Sequence, residues 1–302
     1  MSFPQGVQRK STGVFGTLKA SQKAELAYQL MAPHGPYSKS QVVRALSFAC
    51  GSLYLHRKQP IKDKQVAVAI EQWHELDDTL GHRKLAVLLG MGKNRVNRIM
   101  HKYGISARRK KKRYVYPSKT DHTAPNLVRE LEQNSPTEII FSGIFEVQLA
   151  DRTRVRGCFA LWKRARHILA LAFEYRMQAE LVVSTIKMTP FEVPEAIFHP
   201  DQGKHYGAAQ TRTLLLAKGF VRTMSRAGTP TDNGYAERFV GLFKLAVAER
   251  QPYRTLGDLL RAAQQWVNFY NTTRPHEILD YRSPDQYAQE QQLGSVPTIT
   301  LF

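Results

Sequence analysis

Two acidic residues in the C-terminal half occupy places where chemistry is usually done. Asp201 lies in the run His199-Pro200-Asp201-Gln202-Gly203, directly after the short apolar stretch Ala196-Ile197-Phe198. The carboxyl ends of strands in open α/β sheets are where ligand-binding groups are presented, although an isolated Asp-Gln-Gly is more often only a turn. Glu237 falls on a helix expected to begin near Asp232-Asn233, with Phe239, Val240 and Phe243 on its inward side. Lys244 follows seven residues later, almost two helical turns, and so shares the face of Glu237. The plainer alternative is a charged outer face on an amphipathic helix. Carboxylate oxygens are hard ligands of the kind Mg2+ selects. His199 and His276 lack any further ligand at a consistent spacing, so structural or DNA-contacting roles are expected for them rather than a metal pair.

The elements that must position these acids alternate between strand and helix patterns. Residues 138–147 and 155–162 are β-rich, 168–173 form an apolar run, and a helix is expected over 178–187 with Leu181, Val182 and Ile186 on one side. A short strand at 196–198, a helix over 208–218, a short strand at Phe220-Val221 and helices over about 232–250 and 255–271 complete the order. Strands first and a mixed order later predict an α/β domain with one central sheet.

Charge separates this half from the other. The 302 residues carry 44 Lys plus Arg against 25 Asp plus Glu, a formal charge of +19. Residues 1–120 hold 23 basic against 6 acidic residues, and residues 121–302 hold 21 against 19. Such asymmetry points to a polyanion-binding N-terminal region. Its densest point is the run Arg108, Arg109, Lys110, Lys111, Lys112 and Arg113, whose cations repel one another into an extended linker and can displace counterions along a nucleic-acid backbone. No apolar run is long enough to span a bilayer, and no amphipathic helix adjoins the basic run, which disfavours a membrane surface. Only two cysteines, Cys50 and Cys158, fit a reducing compartment and exclude both a disulfide framework and a Cys-rich zinc module.

Two helical pairs are expected ahead of the basic run. Ser38-Lys39-Ser40 opens the first, with Val42, Val43, Leu46 and Phe48 at helical spacing, a break near Cys50-Gly51, and a second segment carrying Leu53 to Lys58. A separate helix over 66–73 is expected to pack on the second pair. That pair places Arg83 to Leu88 in one helix, Gly90-Met91-Gly92 in a tight turn, and Asn94 to Met100 in the next, ending before Gly104. A short helix, a glycine turn and a helix with Asn and Arg on its outer face form the helix-turn-helix pattern. Asn94, Arg95, Arg98 and Lys102 are the candidates for base edges or phosphates. The plainer alternative is a helical hairpin with a polar face. The resulting division is a flexible arm over 1–22, helix-turn-helix-like units over 23–60 and 61–107, a basic linker over 108–124, the α/β core over 125–250 and a C-terminal helix and tail over 251–302.

The ordered runs 199–203, Met224-Ser225-Arg226-Ala227-Gly228, Asp232 to Phe239, Phe269-Tyr270-Asn271, Arg274-Pro275-His276 and Tyr281-Arg282-Ser283-Pro284 resemble bacterial insertion-sequence transposases of the OrfB type. Gly81 to Leu85, the basic linker and Pro125-Asn126-Leu127 extend the resemblance, which covers roughly residues 40–287. Thirty-five residues separate Asp201 from Glu237, the spacing of the last two acids in that family's Asp–Asp–Glu set. The resemblance implies an RNase H-like integrase core, a mixed sheet flanked by helices, preceded by a helix-turn-helix DNA-binding region. It also implies Mg2+ or Mn2+ as cofactor, double-stranded transposon-end DNA as partner, assembly as a homo-oligomer, a companion transposase subunit, and a bacterial cytoplasmic, nucleoid-associated location. Lys244 matches a position that contacts the transposon end.

The first acid of the set is missing. The matching strand reads Ile139-Ile140-Phe141-Ser142-Gly143-Ile144-Phe145-Glu146, with Gly143 at the Asp position. Glu146 lies an odd number of residues on and is expected to face the opposite side of the sheet; Asp151 is expected in a hairpin turn. The next strand carries Leu161-Trp162-Lys163-Arg164 where the family has an acid ahead of a Ser-Arg pair. The first expectation is therefore a DNA-binding transposase relative that retains Asp201 and Glu237, with room for one weakly bound ion, and has an impaired core. The alternatives are an active Mg2+-dependent transposase with a substitute ligand, and a protein-interaction scaffold localised on nucleic acid.

Overall fold

The computed structural model describes residues 20–31, 37–47, 49–109, 128, 137–176, 179–190, 195–201, 203–225, 233–291 and 293. The chain divides into two compact units, residues 1–71 and 72–302. In the first, α1 (Ala20–Leu30) and α2 (Lys39–Ala45) enclose a small core of Ala27, Val42 and Leu46. Ser38 starts α2 through a capping box: its hydroxyl accepts from the Gln41 N–H and the Gln41 side chain accepts from the Ser38 N–H. The next helix, α3, runs from Cys50 to Leu76 without interruption. It replaces the two separate segments expected over 53–58 and 66–73. Pro60 lies inside α3, where its missing N–H removes one backbone hydrogen bond without ending the helix.

The second unit holds the other helical pair and the sheet. α4 (His82–Leu88) and α5 (Lys93–Tyr103) are joined through Gly90, whose φ of 59° suits a residue without Cβ, and α5 stops at Gly104 with φ 69°. Leu85 and Ala86 of α4 and Val96, Ile99 and Met100 of α5 are buried. The sheet comprises β1 (Ile139–Gln148), β2 (Arg154–Trp162), β3 (His167–Glu174), β4 (Ile197–Pro200) and β5 (Val221–Arg222) in the order β3-β2-β1-β4-β5. The β1–β2 and β2–β3 pairs are antiparallel; β4 runs parallel to β1 and β5 parallel to β4. This is the mixed α/β sheet expected of the RNase H-like core. Asp151 closes the β1–β2 hairpin by accepting from the Thr153 N–H and hydroxyl at 2.9 and 2.8 Å.

The two faces of the sheet are covered separately. Phe145 and Val147 of β1 pack with Phe239 and Phe243 of α8 (Gly234–Phe243) and with Trp266 and Tyr270 of α9 (Leu256–Thr272). Ile140 packs on the other side with Leu181, Val182 and Ile186 of α6 (Ala179–Met188) and Leu215 of α7 (Ala209–Ala217). The chain closes with α10 (Pro284–Glu290), capped by Ser283.

A buried ion pair fixes the α4–α5 pair to the core. The Arg274 Nε donates to the Asp77 carboxylate at 2.7 Å, with both side chains almost fully enclosed, and Arg274 also donates to the Thr79 hydroxyl at 3.1 Å. Burial alone would raise the Asp77 carboxyl, but the Arg274 charge and hydrogen bonds from Thr79 and Arg274 outweigh it and hold the group below its ordinary range. Around the pair, Trp73 meets Phe269 with ring centroids 6.1 Å apart, and Arg250 donates to the Leu76 and His74 carbonyls at 3.1 and 2.8 Å.

Removing one partner leaves a buried charge without compensation. Arg274→Met is expected to cost about 3–5 kcal/mol, whereas the joint change Asp77→Leu with Arg274→Met costs much less. Urea unfolding followed by tryptophan fluorescence measures both; equal losses would show that the ion pair is not what holds the helices.

Candidate functional site

Gly143 lies in the middle of β1, Asp201 follows the strand paired with it, and the helix that carries Glu237 starts over it. The β1–β4 pairing ends with Ser142 opposite Pro200, so Asp201 follows at the carboxyl end of β4. Its carboxylate accepts from the Gly203 N–H at 3.1 Å and from the Ile144 N–H of β1. Burial pushes the Asp201 carboxyl above its ordinary pKa, against the pull of those two hydrogen bonds. Across the strand, the Asn233 Nδ2 donates to the Ser142 carbonyl at 3.2 Å and fixes the start of α8 over β1. Ala236, Phe239 and Phe243 of α8 point inward; Glu237 is exposed, and partial burial moves its carboxyl up. Lys244 is half-buried and opens a π-helical turn, Lys244–Ala248, that follows α8.

Gly143 is enclosed on the α8 side of β1. A Cβ there would lie 3.2 Å from Cε1 and 3.4 Å from Cζ of the Phe159 ring, and 3.8 Å from the Ala236 Cβ. Phe159 is fully buried and cannot easily yield, because its ring sits 4.3 Å from that of Phe239 and 6.3 Å from that of Phe145, centroid to centroid. Any side chain at position 143 would therefore meet an aromatic ring at close contact. The Phe159 ring gave no signal in the sequence, since a phenylalanine in an apolar strand reads as core. No nearby acid takes over. Glu146 is paired with Arg154 and Arg156 at 3.3 and 2.9 Å, and Asp151 is engaged in its own turn. Among the described residues, no group of three or more His, Cys, Asp or Glu side chains is placed to hold a metal ion.

The two histidines lie apart, and both are buried. His199 is buried, 3.0 Å from the Ser225 hydroxyl and edge-on to Phe141. His276 stands against Tyr270 at 4.7 Å, and burial, with the charges of Arg274, Lys84 and Arg166, pushes its pKa well below the usual value.

The DNA-binding candidates divide into two groups. Asn94, Arg95, Arg98 and Lys102 all lie on the exposed face of α5, opposite its buried Val96, Ile99 and Met100. Arg108 is tied to the core: its guanidinium donates to the Leu245 and Glu249 carbonyls at 3.2 and 2.6 Å, at the end of the π-helical turn, and lies 3.9 Å from Asp78. Arg109 is exposed. Lys110, Lys111, Lys112 and Arg113 lie outside the described residues. No helix among the described residues is long and apolar enough to cross a membrane.

Residues 219–284 match the integrase core domain family. Over 277 residues the chain is 24% identical to the putative transposase InsK for insertion sequence element IS150 of Escherichia coli K12, covering 86% of this chain and 96% of that protein. It is also 24% identical over 200 residues to the transposase for insertion sequence element IS904 of Lactococcus lactis, covering 64% and 79% of the two chains. Among solved structures, the catalytic core domain of BIV integrase is similar at 17% identity and a TM-score of 0.39, covering 51% of this chain and 95% of that one. At that TM-score the likeness adds no weight to the sheet order itself.

Two stability measurements test this geometry. Gly143→Ala is expected to destabilise the protein by about 1–3 kcal/mol, as overpacking of a filled core does; a neutral effect in thermal unfolding would mean that Phe159 moves aside freely. Because the folded pKa of Asp201 is raised, the native state bears a penalty that is absent at acid pH and grows as pH rises through that pKa. Asp201→Asn is therefore expected to raise Tm at pH 7 and to leave it unchanged near pH 3. An equal effect at both values would contradict the assignment.

Proposed function

We propose that this chain, an insertion-sequence transposase of the integrase-like OrfB type, acts in DNA transposition by binding element-end-like double-stranded DNA, with a core impaired in cleavage and strand transfer. One observation carries the impairment: the Phe159 ring packs against Gly143, where the first metal-binding carboxylate of the set would stand. Two-metal phosphoryl transfer stabilises the attacking and leaving oxygens with ions about 3.5–4 Å apart. In the resembled family the first Asp belongs to both metal sites. A hydrogen at position 143 donates nothing, so Asp201 and Glu237 remain as the donor set. These residues do not fit a pair of Mg2+ or Mn2+ ions, and they suit at most one weakly held ion.

The DNA-binding part rests on other residues. The outer face of α5 offers Asn94, Arg95, Arg98 and Lys102 together, the arrangement by which a recognition helix meets a major groove. Lys244 and the basic run from Arg109 onward add phosphate contacts, and Arg108 anchors that run to the core. Assembly as a homo-oligomer on DNA, alongside a catalytically complete companion subunit, would let such a protein regulate transposition or take a non-catalytic place in the complex. Its working location is the bacterial cytoplasm, at the nucleoid.

A second reading is kept open by Asp201, which stays pinned by two backbone N–H groups despite the cost of its burial. In that reading strand transfer proceeds with a carboxylate from another subunit. The deciding assay supplies duplex DNA carrying the element's own ends, with Mg2+ or Mn2+. The expected result is tight, salt-sensitive binding without strand-transfer product. Robust product that disappears in Asp201→Ala or Glu237→Ala would overturn the impaired-core reading.

A further inference from the structure

We infer that the turn between β2 and β3 and the first turn of α8 together form a binding site for the phosphates of duplex DNA, built by Arg166, Lys163 and Arg238 around Tyr235. The inference rests on the DNA-binding reading above and assigns it a place on the core.

Tyr235 is the fixed point. Its ring stacks on Phe141 of β1 with centroids 4.9 Å apart and planes 23° from parallel. A ring backed in this way leaves its other face for cations. The Arg166 guanidinium carbon lies over the ring, 4.2 Å from its centroid, and the Lys163 Nζ lies 6.0 Å from the same centroid. Arg238 projects from the next turn of α8, is exposed, and is near enough for its charge to act on Arg166. Three cations thus share one small region within a turn of Glu237.

Among the described residues, no acid balances them. Glu138, which lies close to the turn, is taken by Arg164 at 2.8 Å and by the Trp162 indole N–H at 2.6 Å. Among the described residues no carboxylate pairs with Lys163, Arg166 or Arg238, and the buried Arg166 Nε has no hydrogen-bond partner. Like charges held together without a counter-ion repel one another, and an anion bridging them removes that cost. A guanidinium held over a ring keeps N–H groups in the planar fork that suits a phosphate.

The backbone adds a separate observation. Arg166 sits at φ 58°, in the left-handed region, where a side chain costs about 1–2 kcal/mol and glycine is the usual occupant. Residues held in such conformations concentrate at functional sites. The conformation aims the Arg166 side chain at Tyr235, where the guanidinium also approaches the hydroxyl at 3.5 Å.

The strained backbone supplies a clean test, because Arg166→Gly removes the cation while relaxing the turn. With the full chain and a short duplex of arbitrary sequence, this variant is expected to keep or raise Tm and to bind DNA several-fold more weakly. The slope of log Kd against log salt should fall by about 0.9 for each phosphate no longer neutralised, and so by about 2–3 in Lys163→Ala/Arg166→Gly/Arg238→Ala. Folded variants with wild-type affinity and slope would overturn the inference and leave the DNA-binding reading intact. Failure of the wild-type chain to bind duplex DNA would overturn that reading instead. Should Arg166→Gly fail to fold, Arg238→Ala on the exposed face of α8 decides, with an unchanged slope counting against the site.

Discussion

The arrangement of this protein hangs on the Asp77–Arg274 ion pair. Two opposite charges enclosed together are held by geometry or not at all, since taking either out of water alone costs several kcal/mol. Here the geometry is fixed from both sides: Asp77 is also bonded by Thr79, and Arg274 leaves α9 beside Tyr270. The pair therefore does more than join two residues. It brings the helix that carries Asn94, Arg95 and Arg98 into a set position on the α/β core, and Arg250 and Arg108 complete the joint by capping carbonyls across it. A helical pair that could have hung on a tether is instead part of the second unit.

Within that unit the sheet treats its two acids differently. Asp201 is built into the strand pairing, where its carboxylate accepts the β1 N–H that a longer β4 would have bonded. Glu237 stands on a helix whose opposite side belongs to a cluster of phenylalanines, tyrosine and tryptophan. The aromatic cluster positions α8 and also supplies the ring at Gly143. The packing that presents Glu237 is thus also the packing that crowds position 143.

Much of this was legible in the sequence because it depends on local rules. Gly90, Gly92 and Gly104 marked the ends of α4 and α5, apolar runs and alternation marked β1 to β3, and the odd spacing from Gly143 placed Glu146 on the other face. Position 201 at a strand end and position 237 on a helix were readable in the same way. What stayed hidden depends on contacts distant in the chain. The continuity of α3 past Gly51 and Pro60 was masked by residues that usually break helices. Arg108 belonged by composition to a basic run, and only its distance to the Leu245 and Glu249 carbonyls separates it from that run. The Asp77–Arg274 pair joins residues 197 positions apart, and nothing near either residue signals the other. Lys163 registered only within a departure from an expected motif and Arg166 not at all, because the ring that gathers them lies on α8.

The contact between Gly143 and Phe159 also couples the two positions. Placing an acid at position 143 alone would press it against a buried ring, so that single change is expected to lower stability. Exchanging Phe159 first would open a void in the aromatic cluster, at about 3–5 kcal/mol for complete truncation. Each change is unfavourable until the other has occurred, so the core couples positions 143 and 159 and neither can be exchanged freely alone.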